Sequence, residues 1–181
     1  MIVLRDYPNR TRMSARPLPD AEALLSTLIE RMKPALSPDT GLIGIYTGGV
    51  WLAERIHAAL GLKVPCGTLD VSFYRDDYEK IGLHRNVKRS EIPFDVDGRD
   101  LVLVDDVLYT GRTIRAAMNE LFDFGRPASI KLAALMDRGG RQLPIAAQFL
   151  GGTVELAAGE SIELTQGAGG KLALLLHGAG N

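Results

Sequence analysis

Several features are scarce in this sequence of 181 residues, and each scarcity excludes a class of protein. The single cysteine, Cys66, rules out an intramolecular disulfide and a cysteine zinc site. No apolar run approaches the ~18 residues that a membrane helix needs. The first residues, MIVLRDYPNR, also lack the sustained apolar stretch of a signal peptide. We therefore expect a cytoplasmic protein with no membrane partner.

An excess of charge of one sign is lacking as well. Lys and Arg total 21 against 22 Asp and Glu, so the net charge is −1. This balance denies the chain the basic footprint usual in nucleic-acid-binding proteins, although it does not exclude such binding. The hydrophobic share of 46% and the charged share of 24% are ordinary for a globular protein. The length predicts one domain with a buried core.

Apolar patterning divides the chain into a tail, an alternating body and a different C-terminal part. Residues 1–19 are rich in arginine and proline and predict a flexible tail, with Met13 as an alternative start. From residue 20 onward, strand and helix patterns alternate, which predicts a parallel sheet covered by helices. The predicted helices cover 20–36, the residues after TGG (47–49), and 114–124; the predicted strands cover 41–46, 67–74, 101–104 and 129–136, with 105–113 as a turn.

Two segments do not fit that alternation. The charged segment 75–92 predicts an exposed loop or hairpin. In the C-terminal part, TVEL, AAGE and SIEL (153–164) predict a hairpin, GAGG (167–170) a turn, and KLALLLH (171–177) one more strand.

The segment LVLVDDVLYTGRT (101–113) carries the most specific chemistry. An apolar strand delivers Asp105 and Asp106 to its carboxyl end, where ligands bind in open α/β sheets. The next turn supplies the hydroxyls of Thr110 and Thr113, a permissive glycine and the N–H groups of a helix start, which together suit a phosphate. Adjacent carboxylates suit ribose hydroxyls, or a Mg²⁺ ion carried in by a phosphate ligand. The segment therefore predicts a sugar-phosphate site.

Three other motif classes place acids after an apolar strand, and the sequence excludes each. No GxxxxGK[ST] precedes the acids, as a nucleotide triphosphatase requires, and no GxGxxG marks a dinucleotide site. A phosphoacceptor receiver domain carries its acid pair on the first strand, and too few residues follow Asp105 for the rest of that fold. A phosphoribosyl site remains.

VDDVLYTGRT (104–113) resembles the phosphoribosyl pyrophosphate (PRPP) signature of the type I phosphoribosyltransferases. The exact residues of this motif are similar to those of the PyrR family, whose members are bifunctional pyrimidine-operon regulators and uracil phosphoribosyltransferases. The segments GLIGIYTGGVWLAERI (41–56), TLDVSFYRDDY (68–78) and DRGGRQLPI (137–145) match in the same order, so the resemblance covers about residues 20–152. It implies an α/β fold: a five-stranded parallel sheet flanked by helices, in a single domain over 20–181 whose small hood comes partly from 137–181. It also implies a homo-oligomer.

The resemblance further implies a reaction and its residues. Uracil and PRPP would give UMP and pyrophosphate with Mg²⁺, the metal being carried by PRPP without direct protein ligands. The implied catalytic residues are Asp105, Asp106 and Arg75. The implied PRPP-binding residues are Val104, Asp105, Asp106, Val107, Leu108, Tyr109, Thr110, Gly111, Arg112 and Thr113. Thr47, Gly48 and Gly49 would form the pyrophosphate loop, and Asp137, Arg138, Gly139 and Arg141 would bind uracil. Asp106 and Asp137 are both options for the general base.

Two departures from the family pattern bear on function. Gly48 stands where family members often carry an arginine, which removes a positive charge beside the leaving group. Residues 142–181 hold one lysine against three glutamates, which predicts weak affinity for RNA.

RDDYEKIGLHRNVKR (75–89) is the candidate lid that would exclude water. Two functions stay open: the enzyme, or a UMP-sensing regulator that binds the leader RNA of pyrimidine operons with vestigial catalysis. A purine or orotate base is a weaker third option.

Overall fold

The computed structural model describes residues 18–71 and 89–178, which form a five-stranded parallel sheet, flanking helices and a separate hairpin. The five strands are β1 (Gly41–Ile45), β2 (Gly67–Leu69), β3 (Asp100–Leu108), β4 (Ser129–Asp137) and β5 (Phe149–Thr153). Their order is β2-β1-β3-β4-β5, and all four pairings between them are parallel. This confirms the parallel sheet and the α/β fold class that the sequence predicts.

The central strands are buried on both faces because helices cover both sides of the sheet. Along the first part of β3 the side chains alternate between the two faces. Val102 and Val104 pack in the same cluster as the helices Ala21–Met32 and Gly48–Leu60, whereas Leu101 and Leu103 pack in the same cluster as the helix Arg112–Phe124. All four are fully buried, as are the residues of β1. The continuous apolar runs in the sequence are therefore the signature of strands covered on both faces.

The three α-helices within residues 18–71 and 89–178 begin and end at residues whose chemistry explains the boundaries. Helix α1 (Ala21–Met32) is capped by the Asp20 carboxylate, which accepts a hydrogen bond of 2.8 Å from Ala23 N–H. Helix α2 (Gly48–Leu60) ends at Gly61, which adopts the left-handed conformation with φ 61°. Helix α3 (Arg112–Phe124) ends before Gly125. Helix α1 stops short of the predicted residue 36 because Pro34, which cannot continue an α-helix, lies in a separate 3₁₀ turn, Lys33–Ala35.

The C-terminal hairpin differs from the predicted one. Strands β6 (Ser161–Gln166) and β7 (Leu172–His177) pair antiparallel, so SIEL pairs with LALLLH and not with TVEL. GAGG is the turn of this hairpin, as expected. Of TVEL only Thr153 lies in a strand, the end of β5, which the sequence analysis did not predict. Leu164 and Leu172 are buried in the same core cluster as α1, so the hairpin packs on the body.

Two other predicted boundaries shift. Strand β2 ends at Leu69, and residues 72–74 of the predicted strand lie outside the described residues. Glu91, near the end of the charged segment, exchanges hydrogen bonds of 2.7 and 2.9 Å with Thr68 of β2. Residues 1–17 of the predicted tail (1–19) and residues 75–88 of the candidate lid (75–89) also lie outside the described residues. Within the described ranges, no helix has the length and apolar character to span a bilayer.

Candidate active site

Three of the segments singled out in the sequence meet at the carboxyl edge of the sheet. The segment Thr47–Gly49 follows β1, Tyr109–Thr113 follows β3, and Arg138–Arg141 follows β4. Strands β1, β3 and β4 are adjacent and parallel, so the segments after them lie side by side.

Glycines bring the start of α2 close to the sheet. A Cβ atom on Gly44 would lie 2.6 Å from the Cα of Val50, and one on Gly49 would lie 2.2 Å from the carbonyl oxygen of Val104. No side chain fits at either position, so α2 packs with its first turn against β1 and β3. The helix starts at Gly48, one residue after Thr47, so TGG belongs largely to its first turn and not to a loop before it. The peptide bond between Tyr46 and Thr47 is cis.

The two acids lie within strand β3, which corrects the expectation of a turn over 105–113. The strand continues to Leu108 because Asp105, Val107 and Leu108 pair with residues of β4. The turn is confined to Tyr109–Gly111, and α3 begins at Arg112. Asp105 is 4% exposed and Asp106 is half-buried.

Each of the two carboxylates is held by a backbone N–H group of its own strand. Asp105 Oδ1 accepts a hydrogen bond of 3.1 Å from Asp106 N–H, and Asp106 Oδ1 accepts one of 2.9 Å from Val107 N–H. A Cβ on Gly48 would lie 2.5 Å from Asp106 Oδ2, so this carboxylate rests against the first turn of α2. The acid pair and the TGG segment, distant in sequence, are therefore in contact.

The turn after β3 is held by hydrogen bonds from the segment that follows β4. Thr110 is 3% exposed, and its carbonyl accepts hydrogen bonds from Gln142 N–H (3.0 Å) and Leu143 N–H (3.2 Å). Its hydroxyl accepts one of 3.2 Å from Arg112 N–H, and Arg112 Nε donates one of 3.0 Å to Gln142 Oε1. Gly111, the residue before α3, has φ 91°, a conformation that favours glycine, and it brings no side chain of its own to the start of the helix. The positive end of α3 therefore faces this turn.

The segment after β4 folds over Tyr109. Asp137 Oδ1 accepts a hydrogen bond of 2.8 Å from Gly139 N–H, and its other oxygen pairs with Arg141. Arg141 also donates a hydrogen bond to the carbonyl of Tyr109. The guanidinium carbon of Arg138 lies 4.0 Å from the centre of the Tyr109 ring.

Comparison with known proteins agrees with this geometry. Residues 21–162 match the family model described as phosphoribosyl transferase domain. The bifunctional protein PyrR of Pseudomonas entomophila (strain L48) is 60% identical over 123 residues, which are 68% of this chain and 72% of that protein. The bifunctional protein PyrR of Pseudomonas fluorescens is 51% identical over 152 residues, covering 82% of this chain and 90% of that protein. The chain belongs to the PyrR family.

Solved structures place the PyrR-family chain among phosphoribosyltransferase folds. A hypoxanthine-guanine phosphoribosyltransferase of Leishmania tarentolae, solved in complex with GMP, superposes with a TM-score of 0.59. The superposition covers 83% of this chain and 85% of that one, at 20% sequence identity, and therefore supports the fold alone. It confirms the type I phosphoribosyltransferase fold that the sequence analysis expected.

Some residues that shape the site in this PyrR-family chain were missed. Gly140 approaches Tyr109 closely, Gln142 holds Arg112, and Glu160 accepts a hydrogen bond of 2.8 Å from Arg138 through its carbonyl. Gly140 and Gln142 stand inside the matched DRGGRQLPI segment, so the motif itself was a signal for them. Glu160 acts through its backbone, and no sequence signal marks it.

Arg75 lies outside the described residues. In the ranges 18–71 and 89–178 there is no group of three or more His, Cys, Asp or Glu side chains that would hold a metal ion. The carboxylates of Asp105 and Asp106 are hard oxygen donors of the type that Mg²⁺ prefers, and they fit a Mg²⁺ ion whose main ligands belong to a bound phosphate compound.

Proposed function

We propose that this chain is a uracil phosphoribosyltransferase, which joins uracil to PRPP and releases UMP and pyrophosphate. The observation that carries the proposal is the contact between Asp106 and Gly48, since it brings one of the two acids proposed to bind ribose against the first turn of α2. PRPP carries a phosphate at one end and a pyrophosphate at the other. Such a substrate fits a site built from the start of α2 and the start of α3.

In this proposal the 5′-phosphate lies at the start of α3. Backbone N–H groups at a helix N-terminus bind anions, because they donate hydrogen bonds at the positive end of the helix dipole. Thr110 and Thr113 add hydroxyl groups, and Gly111 keeps side-chain atoms away from the approaching phosphate. The described contacts of Gln142 and Leu143 with Thr110 hold this turn in place.

The pyrophosphate would lie at the start of α2. Thr47, Gly48 and Gly49 offer backbone groups there, again at the positive end of a helix dipole. The position of a loop arginine in the family is Gly48 here, so this chain holds the leaving group with backbone, metal and surrounding residues in place of that cation. Mg²⁺ bound to PRPP would supply further charge neutralisation as pyrophosphate leaves.

Uracil would meet the segment after β4 through backbone groups. The pyrimidine edge offers one N–H donor between two carbonyl acceptors. Gly139 and Gly140 are exposed, with φ 73° and 71°. Among the described residues, no hydrogen bond uses the Gly139 carbonyl or the Gly140 N–H. These two groups belong to one trans peptide unit and point in opposite directions, so one of them at a time can pair with the uracil edge: the carbonyl with its N–H, or the N–H with one of its carbonyls.

The chemistry is a substitution at the anomeric carbon of the ribose. The bond from this carbon to pyrophosphate breaks as the bond to uracil N1 forms, and the N1 proton leaves. Positive charge develops on the sugar, as in glycosyl transfer generally, and the carboxylates of Asp105 and Asp106 would stabilise it while holding the ribose hydroxyls. Asp106 and Asp137 are the proposed acceptors of the N1 proton.

The test is an assay of purified protein with uracil, PRPP and Mg²⁺. Equal amounts of UMP and pyrophosphate are expected, and both should disappear when Mg²⁺ is chelated. If saturating PRPP and uracil yield no UMP above the protein-free control, the enzymatic proposal is wrong.

A second function is favoured by one observation: Gly48 provides no side-chain cation beside the leaving group. Slow chemistry at a site that still binds nucleotide suits a UMP-sensing regulator of pyrimidine genes, which binds operon leader RNA. A gel shift with that RNA, with and without UMP, tests it. A shift that strengthens with UMP supports this function, and RNA binding that ignores UMP contradicts it.

A further inference from the structure

The ring of Tyr109 is enclosed by the segment that follows β4. Arg138 places its guanidinium carbon 4.0 Å from the ring centre, which is within cation–π range. A Cβ on Gly140 would lie 2.5 Å from Tyr109 Cε2, so the backbone of Gly140 packs directly against the ring edge. Tyr109 is nevertheless 37% exposed, and these contacts are what fix an otherwise open side chain.

Arg138 reaches two different parts of the molecule. Its Nη2 donates a hydrogen bond of 2.8 Å to the Glu160 carbonyl, one residue before the start of β6. Its Nε is buried and has no hydrogen-bond partner among the described residues. The contacts with Tyr109 and Glu160 fix the orientation of this side chain. They also offset the free-energy cost of leaving a buried guanidinium N–H unpaired.

These contacts connect the C-terminal hairpin to the proposed phosphate turn. Glu160 leads into β6, and Tyr109 leads directly into Thr110 and the start of α3. We propose that Arg138 is a positioning residue: it stacks on Tyr109 and preorganises Tyr109–Thr113 for a ribose-linked phosphate. The inference rests on the proposed function, and it gives the Arg138 side chain a role other than the uracil binding expected from the sequence.

Removing the cation leaves the Tyr109 ring without its stacking partner. When phosphate binds the variant, part of the binding free energy is used to order the turn, so the affinity falls. The rate of reaction of the bound substrates does not change. We expect the same factor, about tenfold, in the Kd of ribose 5-phosphate, the Kd of UMP and the KM of PRPP. The kcat at saturation should change by less than about threefold, because the lost interaction is made equally in ground and transition states.

The experiment measures binding by calorimetry for the full chain and its Arg138→Met variant, with ribose 5-phosphate and UMP as probes. The KM of uracil is measured at saturating PRPP and should stay within about twofold, since the proposal assigns Arg138 no base contact. Arg138→Lys keeps a cation near the ring and should recover part of the affinity. Arg126→Met is the control, because Arg126 is exposed and its described hydrogen bonds are made by its backbone.

A double-mutant cycle tests whether Arg138 acts through the ring. In a Tyr109→Leu background, Arg138→Met should cost little further affinity for ribose 5-phosphate; in a Tyr109→Phe background, which keeps an aromatic ring, it should still cost about tenfold. Melting temperatures show whether each variant is folded, and the Phe background keeps the test valid if the Leu variant is not.

Three outcomes decide the matter. Additive losses in the Leu background overturn the positioning role while leaving the proposed function intact. A raised KM for uracil with unchanged ribose 5-phosphate affinity overturns it in favour of direct base contact. Failure of the unaltered protein to bind either ribose 5-phosphate or UMP overturns both proposals.

Discussion

Asp106 is the residue on which the proposed site depends most. Its carboxylate lies against Gly48 at the start of α2, and it accepts a hydrogen bond from Val107 N–H within its own strand. One carboxylate oxygen is thus held by the backbone, while the other is directed toward the segment where the pyrophosphate would lie.

Asp106→Asn tests this assignment with an isosteric side chain. The amide keeps an acceptor for Val107 N–H, so the melting temperature should change by no more than a few degrees. Loss of the negative charge should lower kcat by about 10²–10³-fold, because the developing positive charge on ribose loses its stabilising partner. The control is Asp123→Asn on the exposed side of α3, which should leave the rate unchanged. A kcat for Asp106→Asn equal to that of the unaltered protein contradicts the assignment.

Gly49 makes a different prediction, for stability. A methyl group there would lie 2.2 Å from the Val104 carbonyl oxygen, so α2 must move away from the sheet. Gly49→Ala should lower the free energy of unfolding by about 2–4 kcal/mol, which exceeds the ~1 kcal/mol that alanine contributes in a helix. Gly178→Ala, with no atom within 4 Å, should shift the unfolding midpoint in urea very little. Equal stability of Gly49→Ala and the unaltered protein would refute the packing argument.

At this scale the sequence identified candidate residues but not their contacts. Asp105, Asp106, Thr110 and Gly111 could be named from their motif, because the types of residue that hold phosphate and ribose are few. That Asp106 rests on Gly48 could not be predicted, since the contact depends on how closely α2 packs on β3. The role of Glu160 was hidden because its backbone carbonyl, and not its side chain, binds Arg138.

Among the elements, the β6–β7 hairpin is joined to α1 by a hydrogen bond to the Glu22 carboxylate, in addition to the packing of Leu164 and Leu172. Glu22 of α1 receives two hydrogen bonds from Arg55 of α2, of 2.8 and 2.7 Å, and one of 2.8 Å from Leu172 N–H of β7. These hydrogen bonds, first of all those from Arg55, lower the pKa of Glu22 from 4.5 to about 2. Lys171 adds a further positive charge nearby.

Glu22→Gln tests this fastening and its pH dependence. The lowered pKa means that the ionised carboxylate stabilises the fold above pH 4.5 and loses this effect as the pH falls toward 2. The variant should be less stable at pH 7 by about 1–2 kcal/mol, a modest value because the ion pair is partly exposed.

Urea unfolding of both proteins from pH 7 to pH 2 provides the measurement. The difference in unfolding free energy between them should shrink below pH 4.5, whereas Glu30→Gln, at an exposed position of the same helix, should show no such difference. A difference that stays constant with pH would mean that the Glu22 charge contributes nothing.

The elements were predicted where burial dictates pattern and missed where it does not. Strands β1, β3 and β4 are apolar runs because both faces are covered, and their prediction was confirmed. Strand β5 was missed because FLGGT is short and contains two glycines. The hairpin was paired wrongly because TVEL and SIEL alternate in the same way, and the choice between them is made by packing of Leu164 and Leu172 on α1.

At the scale of the whole molecule, the proposed phosphate binding does not depend on an excess of positive charge. Its net charge is −1, and the proposed phosphate and pyrophosphate sites use helix starts, hydroxyls and backbone groups. We propose that residues 20–181 act as one domain, with the β6–β7 hairpin as part of its hood. The balanced charge is compatible with binding a single nucleotide. It argues more strongly against tight binding of RNA, because the affinity for RNA grows with the number of cations that contact its phosphates.

The central claim is that these three segments transfer a phosphoribosyl group to a pyrimidine. The most direct measurement supplies limiting PRPP and Mg²⁺ together with equal concentrations of uracil and hypoxanthine, and then separates the nucleotide products. The account predicts UMP as the main product, because the segment assigned to the base, DRGGRQLPI (137–145), is one of those that resemble the PyrR family. Formation of IMP without UMP would contradict it.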